Sequence, residues 1–238
     1  ASARATELAS AGLDPVASRQ MIAAVQHREW NATAPATTTS QWLAESYYRQ
    51  SRSQLPEALT AARAATTKSP AFGFAWVRVA ELEFSLGRIP TAQLALDKGL
   101  ELSPRNAQGL ALRGFSAAAQ NHFAQAIQWF DQAIAVDGGL GNAWLGRGLC
   151  RIRTGDVADG RGDLQVAAAV EPNRAVLRSY LARAFSYTGQ DALAAKDLRL
   201  ARELDPNDPT SWLYSALIHQ QHNEANDAIR DLEHSKAL

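Results

Sequence analysis

The 238 residues are 46% hydrophobic and 8% aromatic, so the chain has enough apolar side chains to bury a core and lacks the composition of a disordered protein. Its 24 Lys and Arg residues balance its 24 Asp and Glu residues. The chain therefore lacks the net positive charge expected of a protein that binds nucleic acid. The single cysteine, Cys150, excludes an internal disulfide and a multi-cysteine metal site.

The sequence has no pattern typical of a membrane span or a secretion signal. No apolar run reaches the roughly 18 residues that a spanning helix needs, so we expect no membrane insertion. The chain begins at Ala1 without a charged and then apolar leader, which favours a processed piece of a longer protein. We expect a soluble bacterial protein, either periplasmic or cytoplasmic.

Residues 1–38 form a region of their own, because they fit the pattern of the remaining chain poorly. Asp14 followed by Pro15 is typical of a helix cap with a first-turn proline, and it predicts a helix from Pro15 to about Arg28. The segment from Asn31 to Ser40 is rich in Ala, Thr and Pro and reads as a connector. A degenerate copy of the repeat that follows is an equally open interpretation of this region.

A single repeat period organises the chain from Thr39 onwards. Pro70 and Pro104 stand one period apart, as do Pro172 and Pro206, and two periods separate Pro104 from Pro172. The missing member of the series falls on Gly138. Such self-similarity is the sequence signature of stacked structural repeats. We therefore predict six units, with the boundaries 39–72, 73–106, 107–140, 141–174, 175–208 and 209–238.

Three further columns of residues keep the same period. Large residues stand near the start of five units, at Trp42, Trp76, Leu110, Trp144 and Trp212, and Arg178 replaces the large residue in the remaining unit. Small residues recur later in each unit, at Ala58, Ala92, Ala126, Gly160, Ala194 and Ala228. Bulky residues follow them in five units, at Leu96, Phe130, Leu164, Leu198 and Leu232, and Ala62 takes this position in the first unit. Small residues allow two helices to approach closely, and we expect the bulky ones to fill the space between them.

A break near the middle of each unit predicts two helices per unit. The residues at the break tolerate the left-handed backbone conformation that ends a helix, and they are Ser53, Gly87, Asn121, Gly155, Gly189 and Asn223. The spacing excludes a strand-based fold. Each helical hairpin would have to bury its apolar face against its neighbours.

This pattern resembles the tetratricopeptide repeat (TPR) over most of the chain, from Thr39 to Leu238. Its order of large, small, small, large, small and proline is matched by Trp144 to Gly148 and by Gly155, Gly160, Leu164, Ala167 and Pro172. Three segments are also similar to long bacterial TPR proteins that carry a FecR-type domain: Asn106–Gln108, Gly146–Arg151 and Asp208–Tyr214. The resemblance implies an all-α, right-handed superhelix of about six hairpins, with the helical extension at its N-terminus.

The C-terminal unit differs from a complete repeat array. Leu238 falls within the second helix of the sixth unit, and no polar capping helix follows it. Repeat arrays normally need such a cap. The uncapped repeat therefore predicts an apolar end through which two copies could dimerise or stack end to end.

Candidate catalytic and metal-ligating residues are scattered along the sequence. His219 and His222 have a helical spacing suited to a metal, with Glu224 close by, but we interpret them as solvent-facing residues that complement a helix dipole. We interpret Cys150 as a buried apolar residue. Arg147 and Asp163 are expected to pair across a hairpin. We predict no catalytic residues, no metal and no cofactor.

The remaining candidate surface is the inner face of the superhelix, which the first helices of the units would form. Tyr and Arg are the side chains most often found as binding hot spots. Helical spacing assigns eight contact residues to this face: Tyr47, Arg78, Phe115, Arg153, Tyr180, Arg183, Tyr187 and Tyr214. They predict a non-catalytic scaffold that binds a protein or peptide segment in a groove. The alternative is a spacer or assembly arm that self-associates or docks on other domains of the same longer chain.

Overall fold

A computed structural model describes residues 14–31 and 34–238, and these ranges contain 13 helices and no strand. The helices are α1 (Pro15–Val25), α2 (Thr39–Ser51), α3 (Leu55–Lys68), α4 (Gly73–Ser85), α5 (Ile89–Leu102), α6 (Ala107–Ala119), α7 (Phe123–Val136), α8 (Gly141–Arg153), α9 (Val157–Val170), α10 (Ala175–Tyr187), α11 (Asp191–Leu204), α12 (Thr210–Gln221) and α13 (Ala225–Ala237). The predicted all-α repeat class is confirmed.

The helices from α2 onwards form a series of hairpins. The first helices of the hairpins begin at regular positions, namely Thr39, Gly73, Ala107, Gly141, Ala175 and Thr210. The first five of these starts follow the period of the proline series without an insertion or deletion, and the sixth comes slightly later than that period requires. The division of the chain into six units of the stated bounds stays a prediction.

The chain divides into two compact units. The first unit extends to Gly109 and includes α1 to α5, and the second extends from Leu110 to Leu238 and includes α7 to α13. The boundary falls within the residue range of α6. In the first unit each helix packs against the next one along the chain. In the second unit α8 packs against α7 and α9, while α10 packs against α9, α11 and α12.

The turn inside each hairpin has the backbone conformation that the sequence predicts. Its central residue has a positive φ in all six hairpins: Ser53 (59°), Gly87 (72°), Asn121 (61°), Gly155 (98°), Gly189 (69°) and Asn223 (61°). This left-handed conformation ends the first helix of the hairpin and lets the second begin within a few residues.

Small residues let the paired helices touch through their backbones. A Cβ atom added at Gly148 would lie 2.7 Å from the Gly160 carbonyl oxygen, and one added at Gly160 would lie 2.6 Å from that of Gly148. α8 and α9 therefore leave no room for a side chain at this crossing. The ring of Phe130, which is 0% exposed, fills the space beside Gly114 and Gly146 in the same way.

The column that begins at Ala62 and continues with bulky residues is buried in every hairpin except the last. Ala62, Leu96, Phe130, Leu164 and Leu198 are all buried, but Leu232 on α13 is 47% exposed. Ile229, one helical turn earlier, is 55% exposed. The hairpin of α12 and α13 therefore has an uncovered apolar face within the described part of the chain.

The N-terminal helix α1 is capped as expected and packs against α2. The Asp14 carboxylate accepts hydrogen bonds from the backbone N–H groups of Val16 and Ala17, at 2.9 and 3.2 Å. Its other oxygen accepts from Thr38 Oγ1 at 2.9 Å, which ties the cap to the start of α2. The helix ends at Val25, not near Arg28, because His27 has a φ of 51°.

The helices of the described residues are too short, or too polar, for any of them to cross a lipid bilayer.

Candidate partner-binding surface

The eight residues proposed as contacts lie in three places. In the first unit, Tyr47 on α2 and Arg78 on α4 form a pair, with the guanidinium carbon 3.8 Å from the centre of the tyrosine ring. In the second unit, Phe115 and Arg153 line one hollow. The remaining four residues lie on α10 and α12.

The sequence analysis places Arg78 on the contact surface, but its side chain is buried. The residue is 2% exposed, its Nε donates to Ser46 Oγ at 2.9 Å, and its Nη1 lies 2.9 Å from Glu81 Oε2. The guanidinium is thus neutralised and hydrogen-bonded inside the protein. A side chain in this state positions the Tyr47 ring, which is 37% exposed, and does not itself reach a partner.

The hollow in the second unit has a volume of about 250 Å³ and is mainly apolar. Its lining includes Phe115, Phe123, Leu149, Cys150 and Arg153. The Phe115 ring packs edge-on against Phe130, with the ring centres 4.9 Å apart. Arg153 is exposed and forms no ion pair with any carboxylate in the described ranges.

Cys150 is buried in the wall of this hollow, as the sequence predicted. The residue is 3% exposed, and burial raises the pKa of its thiol to about 11. A thiol in this state is mostly protonated at neutral pH and is a poor nucleophile.

Tyr180, Arg183, Tyr187 and Tyr214 come together and are called here the Tyr/Arg cluster. The rings of Tyr180 on α10 and Tyr214 on α12 lie 5.3 Å apart at an angle of 58°. The guanidinium of Arg183 lies over the Tyr187 ring, 4.2 Å from its centre. Tyr187 is 53% exposed. Four residues from two successive hairpins therefore form one aromatic surface with a cation at its edge.

The electrostatics of the Tyr/Arg cluster leave Arg183 without a countercharge. Its Nη1 donates to the neutral Gln221 Oε1 at 3.1 Å, and no carboxylate in the described ranges forms an ion pair with it. Burial, and then the proximity of Tyr180, raise the pKa of Tyr214 above its ordinary value. The phenol of Tyr214 is therefore neutral at physiological pH, and the guanidinium of Arg183 gives this surface its positive charge.

Solved structures with similar chain traces are repeat proteins. The APC/C hetero-tetramer Cut9–Hcn1 matches with a TM-score of 0.73 and 19% identity, over 84% of this chain and 40% of that one. A tetratricopeptide repeat protein from Parabacteroides merdae ATCC 43184 matches with a TM-score of 0.64 and 17% identity, over 98% of this chain and 90% of that one. The chain has the TPR fold. YrrB, a TPR protein with an unusual peptide-binding site, matches with a TM-score of 0.51 and 17% identity, over 74% of this chain and 91% of that one.

The chain corresponds to less than half the length of the Cut9–Hcn1 chain that it matches. No protein-family model matches the sequence, and no curated protein matches it. The likeness to bacterial TPR proteins with a FecR-type domain therefore stays a prediction.

The predicted brace across one TPR hairpin is confirmed and is larger than expected. Arg147 on α8 contacts the buried Asp163 on α9 with two hydrogen bonds, Nε to Oδ2 at 2.9 Å and Nη2 to Oδ1 at 2.7 Å. Arg151 adds a third, at 2.8 Å to Oδ2, and Asp131 accepts from Arg147 Nη1 at 2.6 Å. The additional partners come from the next turn of α8 and from α7, which sequence spacing alone did not single out.

His219 and His222 point in different directions. His222 Nε2 faces Asp191 Oδ2 at 3.4 Å, whereas His219 Nδ1 lies 2.5 Å from Glu224 Oε2. The ligand atoms of His219, Glu224 and Asp227 all lie within 4.8 Å of one another. The structure therefore separates the histidine pair and groups His219 with two carboxylates instead.

Proposed function

We propose that this chain is a non-catalytic scaffold that binds a protein or peptide segment, and that the Tyr/Arg cluster is its main contact surface. The observation that carries the proposal is the arrangement of Arg183 and Tyr187. An exposed ring lies under a guanidinium that has no carboxylate partner among the described residues. This surface offers a partner both apolar area and an unused charge.

The chemistry of the cluster suits a peptide better than a small polar ligand. Tyrosine and arginine bury large areas while their polar ends still form hydrogen bonds, which is why they dominate binding hot spots. The ring and guanidinium of a stacked pair are held in place before the partner arrives, so less conformational entropy is lost on binding.

The hollow beside Phe115 and Arg153 supports a second contact for the same segment. It lies in the same compact unit, and it combines an apolar lining with an exposed arginine. A partner with an apolar side chain next to an acidic one would match it. The description of YrrB as a peptide-binding TPR protein gives independent support for peptide recognition on this fold.

The test is selection of binders from a displayed random peptide library, followed by affinity measurements on variants. We expect Arg183→Ala and Tyr187→Ala each to weaken the selected peptide about tenfold or more, the effect of losing a hot spot. Arg199→Ala is the matched control, because Arg199 is an exposed arginine on the neighbouring helix α11. Equal losses in Arg183→Ala and Arg199→Ala would contradict the proposal.

A second candidate function is assembly through the last hairpin. A hollow of about 370 Å³ opens there, and its lining includes Leu217, Ile229 and Leu232. Exposed apolar surface of this kind is a typical association site. Sedimentation of the wild type and of an Ile229→Ser, Leu232→Ser double variant tests it, and a wild type that stays monomeric at high concentration excludes it. If Arg183→Ala and Tyr187→Ala lose peptide binding but still self-associate, the result favours the Tyr/Arg cluster as the binding surface.

A further inference from the structure

A buried carboxylate recurs at one repeat position on three helices of the second unit, α9, α11 and α13. Asp163, Asp197 and Asp231 follow one another at the repeat period and are 4%, 9% and 3% exposed. Asp163 pairs with Arg147 and Arg151, and Asp197 pairs with Arg178 at 3.4 Å. A buried acid is costly unless a positive charge compensates for it.

Asp231 lacks the strong cationic partner that the two earlier acids have. It makes no hydrogen bond with any described residue, and its nearest charge partners are His219 Nε2 at 3.5 Å and Arg230 Nε at 3.9 Å. The positive charge of Arg202 also acts on Asp231, but its guanidinium stacks on the Trp212 ring at 3.7 Å, and its Nε and Nη2 form no hydrogen bond with the described residues. The imidazole of His219 therefore stands where Asp163 has two guanidinium groups.

The other nitrogen of His219 also faces a carboxylate. Nδ1 lies 2.5 Å from Glu224 Oε2, so carboxylates flank the ring on both sides. A neutral imidazole carries one proton and can satisfy only one of them. A cation bound at Nδ1 would pair with Glu224 and leave the Nε2–H to face Asp231.

We propose that His219 Nδ1, Glu224 and Asp227 bind a divalent cation of the zinc class. Their ligand atoms lie within 4.8 Å of one another, and one nitrogen with two carboxylate oxygens is a ligand set that zinc accepts. Zinc bonds of about 2.0–2.2 Å would require His219 Nδ1 and Glu224 Oε2, now 2.5 Å apart, to separate so that the metal can lie between them. Asp227 already accepts from Arg230 through Oδ1 at 2.8 Å, so it serves the metal through a single oxygen.

Asp231 takes the role of the carboxylate behind a metal-bound histidine. Metal-ligating imidazoles donate their second N–H to such a group, which fixes the tautomer. The site joins the end of α12 to the first turn of α13, and it fastens the turn of the last hairpin. Water completes the coordination, because Glu224 is half exposed.

The first experiment is titration of the untagged, metal-free chain with zinc ions, with metal content measured after dialysis. We expect one zinc per chain. His219→Ala and Asp227→Asn should each weaken binding by at least about 100-fold, more than the roughly 10–100-fold typical of losing an outer-shell partner. His222→Ala is the matched control, since it removes a histidine from the following turn of the chain, and it should leave affinity within about twofold. Absence of stoichiometric zinc overturns the proposal.

Glu224→Gln covers the case in which His219→Ala fails to fold. The Glu224 side chain makes no cap hydrogen bond and is 51% exposed, so its amide should leave the hairpin intact, which circular dichroism can verify. We expect this variant to lose zinc binding. Retained binding in Glu224→Gln, or binding that depends on His222, overturns the site.

Nitrogen NMR of the histidine side chains identifies the coordinating atom. Zinc should shift Nδ1 of His219 and leave Nε2 protonated, facing Asp231. Coordination through Nε2 would contradict the geometry. Asp231→Asn should reduce zinc affinity about 10–100-fold and weaken the tautomer preference of His219 in the same spectra.

Discussion

The first and second units each contain an arginine stacked on a tyrosine, and the two pairs differ in what surrounds the guanidinium. Arg78 lies 3.8 Å from the Tyr47 ring centre and is buried against Ser46 and Glu81. Arg183 lies 4.2 Å from the Tyr187 ring centre and has only the neutral Gln221 beside it. The same two residue types can therefore stabilise a fold in one place and remain available to a partner in another.

The largest expected effect separates the two arginines by stability. Arg78→Ala removes a buried cation and leaves its hydrogen-bond partners unpaired, so we expect it to lower the free energy of unfolding by about 3–5 kcal/mol. Arg183→Ala removes a more exposed side chain and should cost less than about 1 kcal/mol. Urea denaturation of both variants measures the difference. Equal losses would mean that the two pairs do not differ in the way described.

A second prediction asks whether the two units share one packing scheme. Ala58 in the first unit and Ala126 in the second are both 0% exposed. Leucine at either position should destabilise the chain by about 1–3 kcal/mol, because an already filled core must shift. Ala124→Leu, on an exposed position of α7, is the control and should be nearly neutral. A large penalty in only one unit would show that the difference between the units extends to their cores.

The third prediction concerns pH and the wall of the hollow in the second unit. Because burial raises the pKa of Cys150 from 9.0 to about 11, the unfolded chain loses this proton first as the pH rises. Stability that is present below pH 9 should therefore decline between pH 9 and 11, by up to about 2 kcal/mol. Cys150→Ala should show a flatter profile over that range. Rapid reaction of the native thiol with a disulfide reagent would contradict the burial of Cys150.

The smallest expected effect tests an equivalent hydrogen bond in each unit. Trp76 Nε1 donates to the Pro70 carbonyl at 2.8 Å, and Trp144 Nε1 donates to the Gly138 carbonyl at 2.9 Å. Replacing either tryptophan by phenylalanine should cost about 0.5–1.5 kcal/mol from the lost bond. The melting temperatures of the two variants should fall by similar amounts. A decrease in only one variant would mean that the hydrogen bond stabilises only the unit that contains it.

Periodicity predicted the hairpins well, because turn and packing requirements act at fixed sequence positions. All six turn residues have the left-handed backbone that their chemistry permits. Gly138 departs from the proline column, yet Trp144 bonds to its carbonyl just as Trp76 bonds to that of Pro70, since the bond uses the backbone.

The surface was harder to predict, because burial of one side chain depends on its neighbours in another hairpin. Helical spacing assigns Arg78 to the contact face, but Ser46 and Glu81 accept its hydrogen bonds and hold it inside. Helical spacing likewise pairs His219 with His222, whereas the turn at Asn223 brings Glu224 back to His219. Contacts of this kind depend on the geometry of a turn, and a repeat period does not encode them.

The uncovered Leu232 implies that the array does not melt evenly. In a linear array each hairpin is held by its own fold and by the interfaces with adjacent hairpins, and bulky residues supply much of those interfaces. α12 and α13 bury less of theirs, so amide exchange should start there and advance towards α8 and α9. An ion bound by His219, Glu224 and Asp227 would then slow local unfolding in the hairpin where unfolding begins.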